Sequence, residues 1–147
     1  MGMDRRRFVE VSAGLLAATV LPGCAGIAVT RLAPVDGAVR LPVRNYPQLA
    51  QPGGYLKVQA EGAPGAGVIY VLALDDRSYA AVSPICAHLG CTVNIEGPRL
   101  VCPCHGSTYD RSGGLLRGPA QRGLVRFPTT LTEGGELVIR LAGEVAS

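Results

Sequence analysis

Six side chains able to bind metal or form disulfides fall in two short stretches, CAHLGC (residues 86–91) and CPCHGSTYD (residues 102–110). Cys86, His88 and Cys91 occupy the first, and Cys102, Cys104 and His105 the second. Together they include both histidines of the chain and four of its five cysteines. Three chemistries suit such a set. The four cysteines could pair into two disulfides, as an exported domain permits, but both histidines then sit inside the cysteine boxes by accident. A zinc ion could take two Cys and two His tetrahedrally, at the cost of two thiols without a task and a spacing unlike the usual zinc boxes. In the third, Cys86-x-His88 and Cys102-x-x-His105 each supply one sulfur and one ring nitrogen. That set suits a two-iron cluster in which two imidazoles replace two thiolates on one iron.

CAHLGC followed by CPCHGS resembles the Rieske family, specifically its bc-complex-like branch with an extra cysteine in each box. The resemblance extends over residues 54–141 and implies one [2Fe–2S] cluster, with Cys86 and Cys102 on one iron and His88 and His105 on the other. It further implies a disulfide between Cys91 and Cys104 that clamps the two loops. Ser107 and Tyr109 match positions whose hydroxyls donate to a bridging sulfur and to a ligand-cysteine sulfur. Gly106 would let the backbone pack close to the sulfurs, and Gly90 could do the same in the first box. Gly118-Pro119-Ala120 is similar to the family's proline loop, which covers the cluster, although Gln121 stands where a second proline is common. Only 13 residues, Leu89 to Val101, separate His88 from Cys102, fewer than is usual, which implies a trimmed hairpin at Glu96-Gly97-Pro98. Neutral imidazole in place of anionic thiolate lowers the negative charge on such a cluster and favours its reduced state. Rieske potentials therefore span about −150 to +300 mV, above plant-type ferredoxins. Hydrogen bonds to the sulfurs push the same way, so a high potential suited to accepting electrons from a quinol is expected.

The elements that must hold these loops read as β. YLKVQA and VIYVLAL predict strands separated by the cluster EGAPGAG, and SYAAVS follows the turn residues Asp75-Asp76. TVNI and RLVC flank Glu96-Gly97-Pro98 as a hairpin. STYD, VRFPTT and ELVIRLA, the last two around Glu133-Gly134-Gly135, complete the set. The pattern predicts an all-β fold, a small antiparallel sandwich or barrel, with no helix after the N-terminal segment. Residues 24–53, with Pro34, Pro42, Pro47 and Pro52, exclude a long helix and predict a linker feeding one or two edge strands ahead of a domain over 54–147.

Residues 1–23 read as an address. Arg5-Arg6-Arg7-Phe8-Val9 resembles the twin-arginine export signal, with Asp4 and Glu10 as departures from its pattern. The apolar run Val11 to Leu21 is 11 residues long, whereas a bilayer span needs about 20. Leu21-Pro22-Gly23-Cys24 resembles a lipoprotein box, which implies that Cys24 is lipidated and becomes the mature N-terminus. The runner-up is an uncleaved anchor over Phe8 to Val29. Either reading implies a domain on the periplasmic side of a bacterial inner membrane, exported folded, and either leaves the fifth cysteine outside the site. The segment carries three arginines against two acids, and without it the formal charge falls from +3 to +2. No basic run lies beyond it, which argues against nucleic acid as a partner.

At 147 residues the chain suits one domain. Rieske oxygenases need a further mononuclear iron held by two more histidines and a carboxylate, and His88 and His105 are the only histidines here. The expected role is therefore that of an electron carrier. Its leading form is the iron–sulfur subunit of a cytochrome bc-type quinol oxidising complex, with a cytochrome b-type donor subunit and a c-type cytochrome acceptor. The alternatives are the small subunit of an arsenite-oxidase-type molybdoenzyme and a zinc- and disulfide-stabilised interaction domain.

Overall fold

Short apolar runs bounded by glycine and proline leave little room for helices, and the computed structural model is built accordingly. It describes residues 28–62, 67–75, 77–142 and 144–145. The expectations placed on Arg5, Arg6 and Cys24 lie outside the described residues. Among those residues no helix is long and apolar enough to cross a membrane.

The chain runs β1 (Val29–Leu32), β2 (Ala38–Pro42), β3 (Tyr55–Ala60), β4 (Val68–Asp75), β5 (Ser78–Val82), β6 (Asn94–Glu96), β7 (Arg99–Val101), β8 (Thr108–Asp110), β9 (Leu115–Arg117), β10 (Val125–Phe127), β11 (Thr129–Leu131), β12 (Glu136–Arg140) and β13 (Glu144–Val145). Two 3-10 turns, Val43–Asn45 and Pro47–Leu49, follow β2. The strands form a six-stranded sheet β1-β3-β4-β5-β10-β13, a three-stranded sheet β11-β12-β2 and a four-stranded sheet β6-β7-β8-β9. All pairings are antiparallel except β1 with β3. The stretch VRFPTT, expected as one strand, is split at Pro128, which has no N–H for a ladder. β10 pairs with β5 in one sheet and β11 with β12 in the other, so the proline marks the point where the chain changes sheets.

Alternation predicts which faces are buried. β3 places Leu56, Val58 and Ala60 inside, and β12 does the same with Leu137 and Ile139. β4 is a continuous apolar run because both of its faces are covered. Ile69 and Val71 join one core with Val39, Leu41, Leu137 and Ile139. Tyr70 and Leu72 join a second core with Val93, Leu100, Tyr109, Leu124, Cys86 and Cys102. The strand thus packs the four-stranded sheet and its loops onto the rest of the domain.

The proline-rich stretch is more than a linker. β2 pairs along its length with β12, and Val39, Leu41 and Leu49 are buried in the first core. Proline spacing excludes a helix but says nothing about burial, and the alternation in Ala38-Val39-Arg40-Leu41 carries the missing signal. The folded unit therefore includes residues 29–53, and both β1 and β2 are edge strands of their sheets. A second tie joins sheet and domain. Arg111, 9% exposed, donates from Nη1 to the carbonyl of Gly97 at 2.6 Å and from Nη2 to those of Gly53 and Gly54 at 2.8 and 2.9 Å.

Candidate functional site

Both cysteine loops leave the same end of the four-stranded sheet and close in the same way. Cys86 donates its N–H to the carbonyl of Cys91, and Cys102 donates to that of Ser107, each at 2.8 Å. Gly90 donates back to Cys86 at 3.0 Å, and Gly106 to Cys102 at 2.9 Å. Each turn needs a left-handed residue at its fifth position, which Gly90 (φ +79°) and Gly106 (φ +78°) supply without strain. A Cβ on either would meet no protein atom within 4 Å, so this backbone conformation, rather than close approach, is the requirement visible in the protein.

The sulfurs divide into two kinds. Cys91 and Cys104 are joined in a disulfide that ties one loop to the other. Cys86 and Cys102 are free thiols, each 2% exposed. The reading with two disulfides is thereby excluded. His88 and His105 lie close together, ring centroids 4.9 Å apart and edge to face. His105 is exposed and His88 half-buried, with a buried Nδ1 that has no hydrogen-bond partner.

This donor set fits a two-iron cluster. The buried His88 Nδ1 without a partner is costly unless something binds it, and the two free thiols beside it are suitable soft ligands. Among the described residues, the group of three ligand atoms mutually within 4.8 Å is Cys91, Cys102 and Cys104. That group cannot be the metal site, because the disulfide consumes two of its sulfurs. Two cysteine sulfurs and two imidazoles, one of each per loop, are the donor set of a [2Fe–2S] cluster with two His on one iron.

Tyr109 and Ser107 are both fully buried beneath the loops. Tyr109 Oη lies 3.2 Å from Cys86 Sγ, the sulfur of the other loop, and accepts the Ala87 N–H at 3.3 Å. Burial, and then the neighbouring Cys86, push the phenol up to about 12, so it stays protonated and serves as the donor. Burial alone would raise the Cys86 thiol. The hydrogen bonds from Tyr109, the His88 backbone, Cys102 and Ser107 outweigh it and hold the thiol below its ordinary value. Ser107 Oγ accepts the Ala120 N–H at 3.0 Å, which leaves its own hydrogen for the sulfur. This bond also fixes the Gly118-Pro119-Ala120 loop against the site, with Ala120 buried and Gly118 and Pro119 exposed. Ala87, His88, Pro119, Ala120, Gln121 and Arg122 border an open depression of about 600 Å³.

Every residue named from the two boxes is therefore at this end of the sheet. Three contributors were not foreseen: the Ala87 and Ala120 amides and the Arg122 side chain. Backbone amides carry no sequence signal. Arg122 does have one, a charge two residues past Ala120 in a loop otherwise without charges.

Residues 40–128 match the model of the Rieske [2Fe-2S] domain family. The chain is 41% identical over 73 residues to the cytochrome b6-f complex iron-sulfur subunit of Synechococcus elongatus, covering 47% of this chain and 41% of that protein. It is 36% identical over 86 residues to the cytochrome b6-f complex iron-sulfur subunit 2 of Synechocystis, covering 56% and 48%. The matched region thus spans less than half the length of these relatives. The solved structure of the cyanobacterial plasma membrane Rieske protein PetC3 from Synechocystis is similar at 31% identity and a TM-score of 0.50, covering 58% of this chain and 85% of that one. The quaternary ammonium Rieske monooxygenase CntA shares the fold, with a TM-score of 0.53 at 19% identity, over 65% of this chain and 30% of that one.

Proposed function

The chain belongs to the Rieske [2Fe-2S] domain family and carries one such cluster, and from that premise we propose that it is the iron–sulfur subunit of a cytochrome bc-type quinol:cytochrome c reductase or a close relative. In this reading it takes electrons from a quinol-oxidising cytochrome b-type subunit and passes them to a c-type cytochrome. The cytochrome b6-f subunits among its relatives support the reading. The observation that carries it is the pair of free buried thiols, Cys86 and Cys102, beside the unpartnered Nδ1 of His88, on loops clamped by Cys91–Cys104.

When bound, the cluster supplies a one-electron acceptor and donor. Cys86 and Cys102 would hold one iron and His88 and His105 the other. The hydrogen bond from Tyr109 favours negative charge on the Cys86 sulfur and with it the reduced form. Ser107 and Ala120 keep the proline loop closed over the sulfurs and exclude water on that side. His88 turns Nδ1 inward, so Nε2 is the ring atom left to exchange a proton with a quinol while the electron moves. The potential should therefore fall as pH rises, and a potential independent of pH would sink this coupling. EPR of the ascorbate-reduced protein should show a Rieske signal with average g below 2, whereas a colourless zinc protein would refute the assignment.

The domain is held at the periplasmic face of the inner membrane through the N-terminal segment, lipidated at Cys24 after export through a signal containing Arg5 and Arg6. Intact mass of the membrane-extracted protein should show cleavage ahead of Cys24 and added acyl chains, both abolished in Cys24→Ser. A parent protein of full-length, unlipidated mass would favour the uncleaved anchor instead.

A further inference from the structure

The two ends of the four-stranded sheet differ in charge. At one end β6 and β7 meet the cysteine loops beside Asn94 and Val101, and Thr108 pairs with Arg117. At the other end Glu96 pairs with Arg99 and Arg99 with Asp110, around the Gly97-Pro98 turn. Both acids of the sheet are therefore at the end opposite the loops. Asp110 is in any case occupied by Ser112 and Gly114.

The loop end carries only cations. Residues 84–93, 102–108 and 115–123 contain no Asp or Glu, and their charged side chains are Arg117 and Arg122. Both are exposed, and among the described residues the ion pair is Arg40 with Glu136, so neither has an acidic partner. Arg122 borders the depression that His88 also lines. His105 meets His88 edge to face with centroids 4.9 Å apart, and Leu89, which follows His88, is 69% exposed. The face thus combines exposed apolar surface with single-sign charge, as docking patches do.

We propose that this face docks an electron-transfer protein whose contact surface is acidic, with Arg117 and Arg122 steering it and Leu89 and the two histidines forming the contact centre. The proposal rests on the Rieske reading for the route by which the electron leaves. Two exposed cations attract an anionic lipid surface only weakly, and such a surface offers no acceptor, so a protein is the occupant that fits.

Two probes test it. The redox-inert anion hexacyanochromate(III), added to the isotope-labelled holoprotein, should broaden the NMR signals of residues 115–117 and 121–123 selectively. In stopped flow, the reduced protein gives one electron to ferricyanide, which becomes ferrocyanide, or to the cation tris(phenanthroline)cobalt(III), which becomes the cobalt(II) complex. The ferricyanide rate should fall with salt and the cobalt rate should rise. Arg117→Glu/Arg122→Glu should slow ferricyanide about tenfold at low salt and reverse both slopes. Arg31→Glu/Arg44→Glu, an equal change in net charge on exposed residues of β1 and of the 3-10 turn after β2, should leave the slopes in place. Uniform broadening, equal slopes for the two oxidants, or an equal effect of both double variants would overturn the proposal. So would tight binding to phosphatidylglycerol vesicles that Arg117→Glu/Arg122→Glu abolishes, because the occupant would then be a lipid surface. Absence of a Rieske EPR signal would instead overturn the functional reading, with the chromium broadening still reporting on the face.

Discussion

Replacing Tyr109 with Phe removes one oxygen from a side chain that is otherwise fully packed. The ring keeps its place among Leu100, Val93 and Leu124, so the change is confined to the bonds made by Oη. The bond to Cys86 Sγ, at 3.2 Å, strengthens as the sulfur becomes electron-rich on reduction, so its loss penalises the reduced form. A net hydrogen bond contributes about 1 kcal/mol, which for a one-electron couple at 59 mV per tenfold converts to a potential lower by about 40 mV. The phenol, held up at about 12 by burial and by Cys86, remains a donor throughout the range in which the protein would work. The shift should therefore be the same at pH 6 and pH 8. Spectroelectrochemical titration of the two proteins measures it, with the EPR signal confirming that both are loaded. An unchanged or higher potential in Tyr109→Phe would refute the reasoning, since the donor would then not act on the ligand sulfur.

Arg111→Met should lose about 2 kcal/mol in urea unfolding, because three carbonyls from two separate turns lose one shared donor while relief of a buried charge offsets part of the loss. Stability within about 0.5 kcal/mol of the parent would show that the tie is redundant. Reducing the Cys91–Cys104 bond, which spans 13 positions in sequence, should cost about 3 kcal/mol by the chain-entropy account and bleach the cluster faster under chelator. Asp110 is held below the usual carboxylate range: burial would raise it, but hydrogen bonds from Ser112 and Gly114 and the nearby Arg126 outweigh that. A depressed carboxylate stabilises the fold above the unfolded value of 3.8 and loses this as pH falls through its lower folded value. The parent should therefore exceed Asp110→Asn by about 1–2 kcal/mol at pH 7, and the gap should close below about pH 4. A gap that persists at pH 2 would show that packing, not charge, is responsible.

Much of the site was legible because its chemistry is local. Ligand atoms and the glycines that shape their loops sit within six residues of one another in each box. The strands were legible where one face is wet, as in β3 and β12. β9 was missed because its residues, half-buried to exposed, show no alternation. The prolines of residues 24–53 left the bounds and burial of β2 unread, although its pairing with β12 buries Val39 and Leu41.

The sequence by itself determined the ligand types, the two-box arrangement and the β class, because these depend on side-chain identity and on periods of a few residues. Only the tertiary structure decided that Tyr109 serves the sulfur of the opposite loop, 23 positions away, and that Ser107 holds the Ala120 loop. It also decided that Arg111 joins turns 58 and 14 positions distant, and that Arg117 and Arg122 share the histidine end while the acids do not. Each of these depends on strand register and on which loops fold together. Register is settled by burying two cores on the two faces of β4, a property of the whole chain that no short stretch of residues contains.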